Sequence, residues 1–369
     1  MSDQRSVDEK YMRRAIELAK RGEGWCHPNP MVGAVIVKDG RIIAEGWHAK
    51  YGEKHAERNA IAALKESAAG ATLYCTLEPC CHHGKQPPCT EAVIESGISR
   101  VVVGSRDPNP LVAGKGNQML RDAGIEVTED VLRDECDALN PVFFHYITTK
   151  MPYVVMKYAM TADGKIATVT GESKWISGEN SRKKVHELRH ACMGIMAGIG
   201  TVIADDPMLN CRIENGKNPV RIICDDSLRI PMDSQIVRSA NDIDTIIVSG
   251  NRDYDKRKAE ELEAAGCRVL IKPGENGKVD IKALMQELGK GGIDSILVEG
   301  GGTLNYSILK SGCVNELKVY MAPKIFGGAA KSPVGGEGVE FPSDAWEFVI
   351  ADIEQIDEDV CITYRRKRD

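Results

Sequence analysis

The sequence predicts an α/β protein of two domains, on three observations. Strand-like runs alternate with helical spacing through the first third of the chain, and the same rhythm restarts after a short connector. The length, 369 residues, exceeds what one hydrophobic core usually serves. The expected domains are 1–146 and 147–369, the first a mixed sheet with helices on both faces.

In order, the apolar spacing over 7–19, closed by Gly22, predicts an amphipathic helix. Strands over 32–37 and 41–44 flank Asp39-Gly40, a two-residue hairpin turn. A helix begins near His55, 72–77 reads as a strand, and 90–96 as a helix ended by Gly97. Strand 100–103 leads into the turn Asp107-Pro108-Asn109-Pro110. A helix over 119–123, a strand over 125–127 and a helical stretch over 134–146 complete the first domain, and 148–152 is the connector. Beyond it the expected strands are 153–158, 195–197, 220–224, 245–248, 268–271, 295–298 and 317–321; helices fit 180–190, 281–288 and 304–309.

The formal charge of −6 disfavours a general nucleic-acid binder, which needs concentrated Lys and Arg. The one dense basic run, Arg365-Arg366-Lys367-Arg368, reads as a solvated tail. No apolar run approaches the roughly 20 residues of a membrane span, and the first residues lack the apolar core of a signal peptide. A cytoplasmic setting with no membrane partner is expected. Twelve cysteines in such a chain are expected to be reduced, and the four between Cys75 and Cys89 suggest metal or catalysis. Cys192, Cys224 and Cys267 read as small buried residues.

The chemistry-bearing pattern is His55-Ala56-Glu57, then Glu78-Pro79-Cys80, then Cys89 after eight intervening residues. Zinc favours imidazole nitrogen and thiolate sulfur, and a catalytic zinc takes three protein ligands, its fourth corner going to water or substrate. Glu57 diverges from His55 by about 200° on an ideal helix. It therefore suits a proton shuttle beside the ion rather than a fourth ligand. The pattern matches the zinc-deaminase signature, save that the second cysteine there follows after two residues. A closed structural site completed by Cys75, Cys81, His82 or His83 is the alternative reading.

These residues, together with Pro-Cys-Cys-His-His-Gly-Lys-Gln-Pro-Pro-Cys (79–89), resemble the bifunctional riboflavin-biosynthesis deaminase/reductase family. Asn29-Pro30-x-Val32-Gly33-Ala34, Gly46-x-His48 and Arg106-Asp107-Pro108-Asn109-Pro110 are similar to the same family. So, in the second half, are Asp163-Gly164-Lys165-Ile166-Ala167, 171–176 and Gly200-Thr201-Val202-x-Ala204-Asp205-Asp206-Pro207. One departure is Cys81, where the family has a small polar residue; it bears on metal affinity.

The resemblance implies a cytidine-deaminase-like three-layer domain followed by a dihydrofolate-reductase-like α/β domain. It implies deamination of 2,5-diamino-6-(ribosylamino)pyrimidin-4-one 5′-phosphate, then NADPH-dependent reduction of ribosyl to ribityl. Zinc would be held by His55, Cys80 and Cys89, with Glu57 catalytic and Asn29, His48, Lys85, Asp107 and Asn109 binding the pyrimidine ribose phosphate. Asn29 and Asn109, each before a proline, equally suit turn building. NADPH contacts would map to Ala159, Trp175, Thr201, Asp205, Gly301, Gly302, Thr303, Leu304, Asn305, Tyr306 and Ser307. Contacts to the reductase substrate would map to Lys157, Ser173, Arg189, Leu209, Arg212 and Glu299. Asp226 stands where a small hydroxyl residue is expected near the cofactor.

Without the resemblance, the second domain offers only Glu299-Gly300-Gly301-Gly302-Thr303, a glycine loop between strand and helix. It fits a phosphate cradle or a plain tight turn. Two other readings of the whole chain are an RNA-editing deaminase with an accessory domain and a non-enzymatic zinc-binding module. A homo-oligomer, dimer or tetramer, is expected of a two-domain metabolic enzyme.

Overall fold

The structure is a computed structural model and describes residues 2–367; Arg368 of the basic run lies outside them. The chain packs as two compact units, 1–150 and 151–369.

Unit 1 contains α1 (Ser2–Ala19), β1 (Gly33–Lys38), β2 (Arg41–Trp47), α2 (Ala56–Ala62), β3 (Thr72–Leu77) and α3 (Cys89–Glu95). It continues with β4 (Arg100–Ser105), α4 (Lys115–Asp122), β5 (Glu126–Thr128), α5 (Arg133–Asp137) and α6 (Pro141–Thr149). The sheet order is β2-β1-β3-β4-β5, with β1 antiparallel to both neighbours and β3, β4 and β5 parallel.

Strand alternation sorts its side chains into two cores. Ala34, Ile36, Leu73, Cys75, Val101 and Val103 meet Ala56, Ala60, Val93, Leu120 and Phe143 of α2, α3, α4 and α6. On the other face Val35, Val37, Tyr74 and Val102 meet Met12, Ala15, Ile16 and Ala19 of α1. The result is three layers. Two motif glycines explain how close the layers sit. A Cβ on Gly33 would lie 1.9 Å from the Ala15 carbonyl oxygen, and one on Gly46 2.3 Å from the Ala60 nitrogen. The second approach seats α2, and hence His55 and Glu57, against β2.

The helical stretch expected over 134–146 is two helices, because Pro141 has no N–H to continue α5 and instead opens α6. The expected boundary at 146/147 falls inside α6, and the units divide after Lys150.

Unit 2 contains β6 (Tyr153–Thr161), α7 (Glu179–Ala191), β7 (Gly194–Gly198), α8 (Ile199–Asp205), β8 (Val220–Cys224), α9 (Gln235–Arg238), β9 (Thr245–Ser249) and α10 (Lys256–Ala264). It ends with β10 (Arg268–Ile271), α11 (Ile281–Lys290), β11 (Ser295–Val298), α12 (Gly302–Lys310), β12 (Val314–Ala322), β13 (Phe348–Ile356) and β14 (Asp359–Arg366). The sheet order is β10-β9-β8-β7-β11-β6-β12-β14-β13, parallel up to β12 and antiparallel at the last two strands. The chain leaves β7 toward β8 but leaves β11 toward β12, so the order reverses between β7 and β11. Such a reversal opens a crevice at the carboxyl ends of the two strands.

Five elements escape the sequence reading, the short helices α8 and α9 together with α10, β13 and β14. Arg365 and Arg366 belong to β14: Arg365 pairs in register with Glu316, and Arg366 bonds the Gly312 carbonyl. Half of the expected solvated tail, Arg365 and Arg366, is thus the exposed end of a strand. The β13–β14 hairpin escaped because β13 buries only one of its nine residues. Helix α10 escaped because it is mostly charged and buries only Ala259 and Leu262. Cys192, Cys224 and Cys267 are buried, as their sequence surroundings imply.

Candidate functional site

In unit 1, β3 ends at Leu77 and delivers Glu78, Pro79 and Cys80 past the sheet edge, while Cys89 opens α3 and His55 is the N-cap of α2. His55 Nδ1 lies 3.5 Å from both Cys80 Sγ and Cys89 Sγ. All three donor atoms fall within 4.8 Å of one another. Ligands about 2.0–2.3 Å from an ion at tetrahedral angles are spaced about 3.5 Å apart, so the set fits zinc. The other candidates stay out of this cluster among the described residues. Cys75 is buried in β3, Cys81 Sγ faces the Leu111 carbonyl at 3.8 Å, and His83 is 3.9 Å from Glu91.

The Cys80 pKa is pulled down to about 4, first by the hydrogen bond with the Cys89 side chain and then, against its own burial, by His55. Glu57, in the first turn of α2, is 4% exposed. Burial, and secondarily Cys80, hold its carboxyl above the ordinary range.

A cavity of about 290 Å³ adjoins this cluster, and every expected deaminase contact lines it: Asn29, His48, Lys85, Asp107 and Asn109. His48 Nδ1 faces the Lys54 carbonyl at 3.1 Å, which can only accept, so Nδ1 carries the proton. Nε2 then accepts from Asn29 Nδ2 at 3.3 Å. Lys85 sits 4.1 Å over the Tyr51 ring. Burial pushes Asp107 up to about 7. Asp107 also accepts the Asn109 N–H at 2.8 Å, and Asn109 accepts from Leu111 at 3.1 Å. Asp107 and Asn109 thus shape the loop and also line the cavity.

The sequence reading named Glu78 within the motif but gave it no role; it is 3% exposed, and its carboxylate accepts N–H groups of Gly114, Gly116 and Asn117 at 2.9, 3.0 and 3.3 Å. The sequence reading missed Tyr51, Gln86, Phe143, Tyr146 and Ile147 in the lining. Only the position of Glu78 before Pro79-Cys80 could have drawn attention.

In unit 2, Lys157, Arg189 and Glu299 come together. Val298 is in register with Met156, which sets Glu299 beside Lys157 at the next position. Arg189, from α7, grips Glu299 through Nε and Nη2 at 2.6 and 3.0 Å, and Lys157 Nζ is 3.7 Å away. Burial alone would raise the Glu299 carboxyl, but Arg189 and Lys157 overcome it and bring it down to about 2. Arg189 also donates to the Asn210 carbonyl, next to buried Leu209, and Arg212 reaches the Asn210 side chain at 3.1 Å.

The first turn of α12 meets the first turn of α8 at the β7/β11 crevice: a Cβ on Gly301 would lie 3.5 Å from Thr201 Oγ1. The opening N–H groups of such helices have no intrahelical partner and suit a phosphate. Leu304 and Asn305 turn their side chains inward, Leu304 into the core and Asn305 onto the Pro333 carbonyl at 2.8 Å. Any cofactor contact they make is through the backbone. Trp175 is 61% exposed and stacks against Arg182, Asp205 is exposed at the end of α8, Ser173 is half-buried, and Ala159 lies in β6. Asp226 is committed elsewhere, accepting the Val279 N–H at 2.9 Å.

Comparison with known proteins agrees with both halves. Residues 5–105 match the cytidine and deoxycytidylate deaminase zinc-binding region, and 152–362 match the RibD C-terminal domain. The stretch 106–151 falls between the two matches. The chain is 55% identical to riboflavin biosynthesis protein RibD of Actinobacillus pleuropneumoniae, over 97% of this chain and 95% of that one. It is 40% identical to RibD of Escherichia coli, covering 96% and 98%. Among solved structures, a Thermotoga maritima diaminohydroxyphosphoribosylaminopyrimidine deaminase/5-amino-6-(5-phosphoribosylamino)uracil reductase superposes with a TM-score of 0.87 at 39% identity, covering 99% and 100%. Acinetobacter baumannii RibD superposes at 0.88 with 38% identity and the same coverage.

Proposed function

The chain belongs to the RibD family of bifunctional riboflavin-biosynthesis deaminase/reductases, and from that premise we propose how its residues divide the work. It is an enzyme with a zinc-binding deaminase domain and a reductase domain. The RNA-editing and non-enzymatic readings are not favoured by this membership.

The deaminase domain takes 2,5-diamino-6-(ribosylamino)pyrimidin-4-one 5′-phosphate, with zinc held by His55, Cys80 and Cys89. The observation that carries this reading is the convergence of those three donors beside a cavity that His55, Cys80 and Glu57 line. Zinc, when bound, supplies a Lewis acid that brings the pKa of a water toward about 7. The Glu57 carboxylate moves a proton from the attacking water to the amino nitrogen. The ring carbon gains the water oxygen, its bond to nitrogen breaks, and ammonia leaves behind a carbonyl. Asn29, His48, Asp107 and Asn109 read the ring edges, and Lys85 offsets the phosphate charge.

The reductase domain uses NADPH, which supplies the hydride. Its phosphates lie at Gly301, Gly302 and Thr303 and the facing turn at Thr201, with Ala159, Trp175, Asp205 and the rest of 304–307 along the cofactor. Arg189, Arg212 and Lys157 hold the ribose phosphate, and Glu299, Ser173 and Leu209 place the sugar. Among the described residues no helix is long and apolar enough to cross a membrane. Twelve cysteines in the chain, with no disulfide among the described residues, support a reducing, cytoplasmic setting. Edge strand β13 exposes Val349, Ile350 and Ile353, which supports a homo-oligomer.

Purified protein with stoichiometric zinc should release one ammonia from the diaminopyrimidine phosphate and then oxidise one NADPH. Zinc-loaded protein that performs neither step discards the assignment.

A further inference from the structure

Zinc-assisted hydrolysis is common to many deaminases, so the choice of ring has to come from outside the metal motif. Six residues of the cavity lining, Asp107, Asn109, Val112, Phe143, Tyr146 and Ile147, belong to the stretch between the two matched regions. The last three lie on α6 at spacings of three and four, which is one helix face. Phe143 is buried in the core beneath, while Tyr146 and Ile147 are half-buried.

The start of α6 is fastened in an unusual way. An Asn at the N-cap ordinarily accepts the N–H of the second or third helical residue. Asn140 occupies that position without making such a bond. Its amide turns instead to Met31, 109 residues away, accepting the Met31 N–H at 2.8 Å and donating to the Met31 carbonyl at 2.9 Å. Asn140 is 4% exposed. Met31 lies between Pro30 and Val32, which both line the cavity, and two positions from Asn29. A carboxamide is the side chain that offers donor and acceptor in one plane, so this pairing sets both distance and orientation.

Resting on the deaminase reading above, we propose that α6 is the specificity wall of the deaminase cavity. Tyr146 and Ile147 pack against the planar heteroaromatic ring of the substrate. Asn140 is the positioning residue that keeps this wall in register with the loop carrying Asn29. An apolar face opposite polar groups that read ring edges is how small-molecule cavities orient a flat ligand.

The test uses the full chain with Tyr146→Ala, Asn140→Ala and Asn140→Asp. Zinc content reports the fold of the first unit, and NADPH oxidation with the deaminated intermediate reports the second. Tyr146→Ala and Asn140→Ala are expected to raise the deamination KM about tenfold, with kcat within about threefold and zinc unchanged. Asn140→Asp keeps the acceptor for the Met31 N–H and loses the donor, so its KM should fall between. A Tyr146→Ala KM within about twofold of wild type, or a loss confined to kcat, overturns the wall. Loss of zinc from Asn140→Ala, or Asn140→Asp no better than Asn140→Ala, overturns the positioning role. Wild-type protein that releases no ammonia removes the parent reading itself, an outcome distinct from active wild type with unaltered variants.

Discussion

The two units bring their working groups together in opposite ways. In the first, His55, Glu57, Cys80 and Cys89 all fall in one stretch of chain, on two helix starts and the strand end between them. In the second, Lys157, Arg189 and Glu299 come from a strand, a helix and a second strand end spread over 157–299. A metal accepts few atom types at narrow distances, so its site must be written in particular residues. A phosphate-bearing cofactor can be met by backbone N–H groups at helix starts, which many sequences supply. The chemistry of the first half is therefore conspicuous, and that of the second depends on sheet order.

The sharpest way to break this contrast is Cys80→Ser. It should lose zinc and deamination by about a thousandfold or more, while NADPH oxidation with separately supplied intermediate survives. Loss of both activities would show that the halves do not work independently. Next, Glu57→Gln should retain zinc and lower kcat for ammonia release by about 10²–10⁴-fold. A wild-type rate would remove Glu57 from proton transfer.

In the second half, Glu299→Gln leaves Lys157 and Arg189 packed together without their counter-charge. It should cost on the order of 3 kcal/mol in unfolding experiments, along with most reductase activity. The pH dependence has a definite sign. The folded carboxyl titrates at about 2, below the unfolded value of about 4.3, so its stabilisation is complete above about pH 4.3. It is lost as the pH falls through about 2, and wild type should lose more stability over that interval than Glu299→Gln. The smallest effect is expected of Asp226→Ser, which gives up one bond to the Val279 N–H. About 1 kcal/mol in thermal unfolding, with the KM for NADPH unchanged, is the expected result. A shifted KM would place Asp226 at the cofactor after all.

Much of the architecture was legible before any tertiary information. Strands such as Thr72–Leu77, Val220–Cys224, Arg268–Ile271 and Ser295–Val298 match their expected bounds, because each is a compact, mainly apolar run with distinct ends. The β13–β14 hairpin was not legible, since an edge strand exposed on both faces carries little burial signal. In the first site the ligands could be picked out by residue type. Glu78 and Asn140 could not, because each acts on backbone groups far away in sequence, and a backbone N–H looks the same at every position.

By itself, then, the sequence determined the α/β class and the restart of the strand–helix rhythm at Tyr153, and it singled out His55, Cys80 and Cys89 as candidate donors, all of which depend on local periodicity and side-chain chemistry. Only the tertiary structure decided that Cys75, Cys81 and His83 stay out of that set, that Glu299 is shared by Lys157 and Arg189, and that α6 lines the cavity and is bonded through Asn140 to Met31. The reason is physical: these relations are fixed by distances between groups remote along the chain, and such distances exist only once the sheets are ordered and the layers packed.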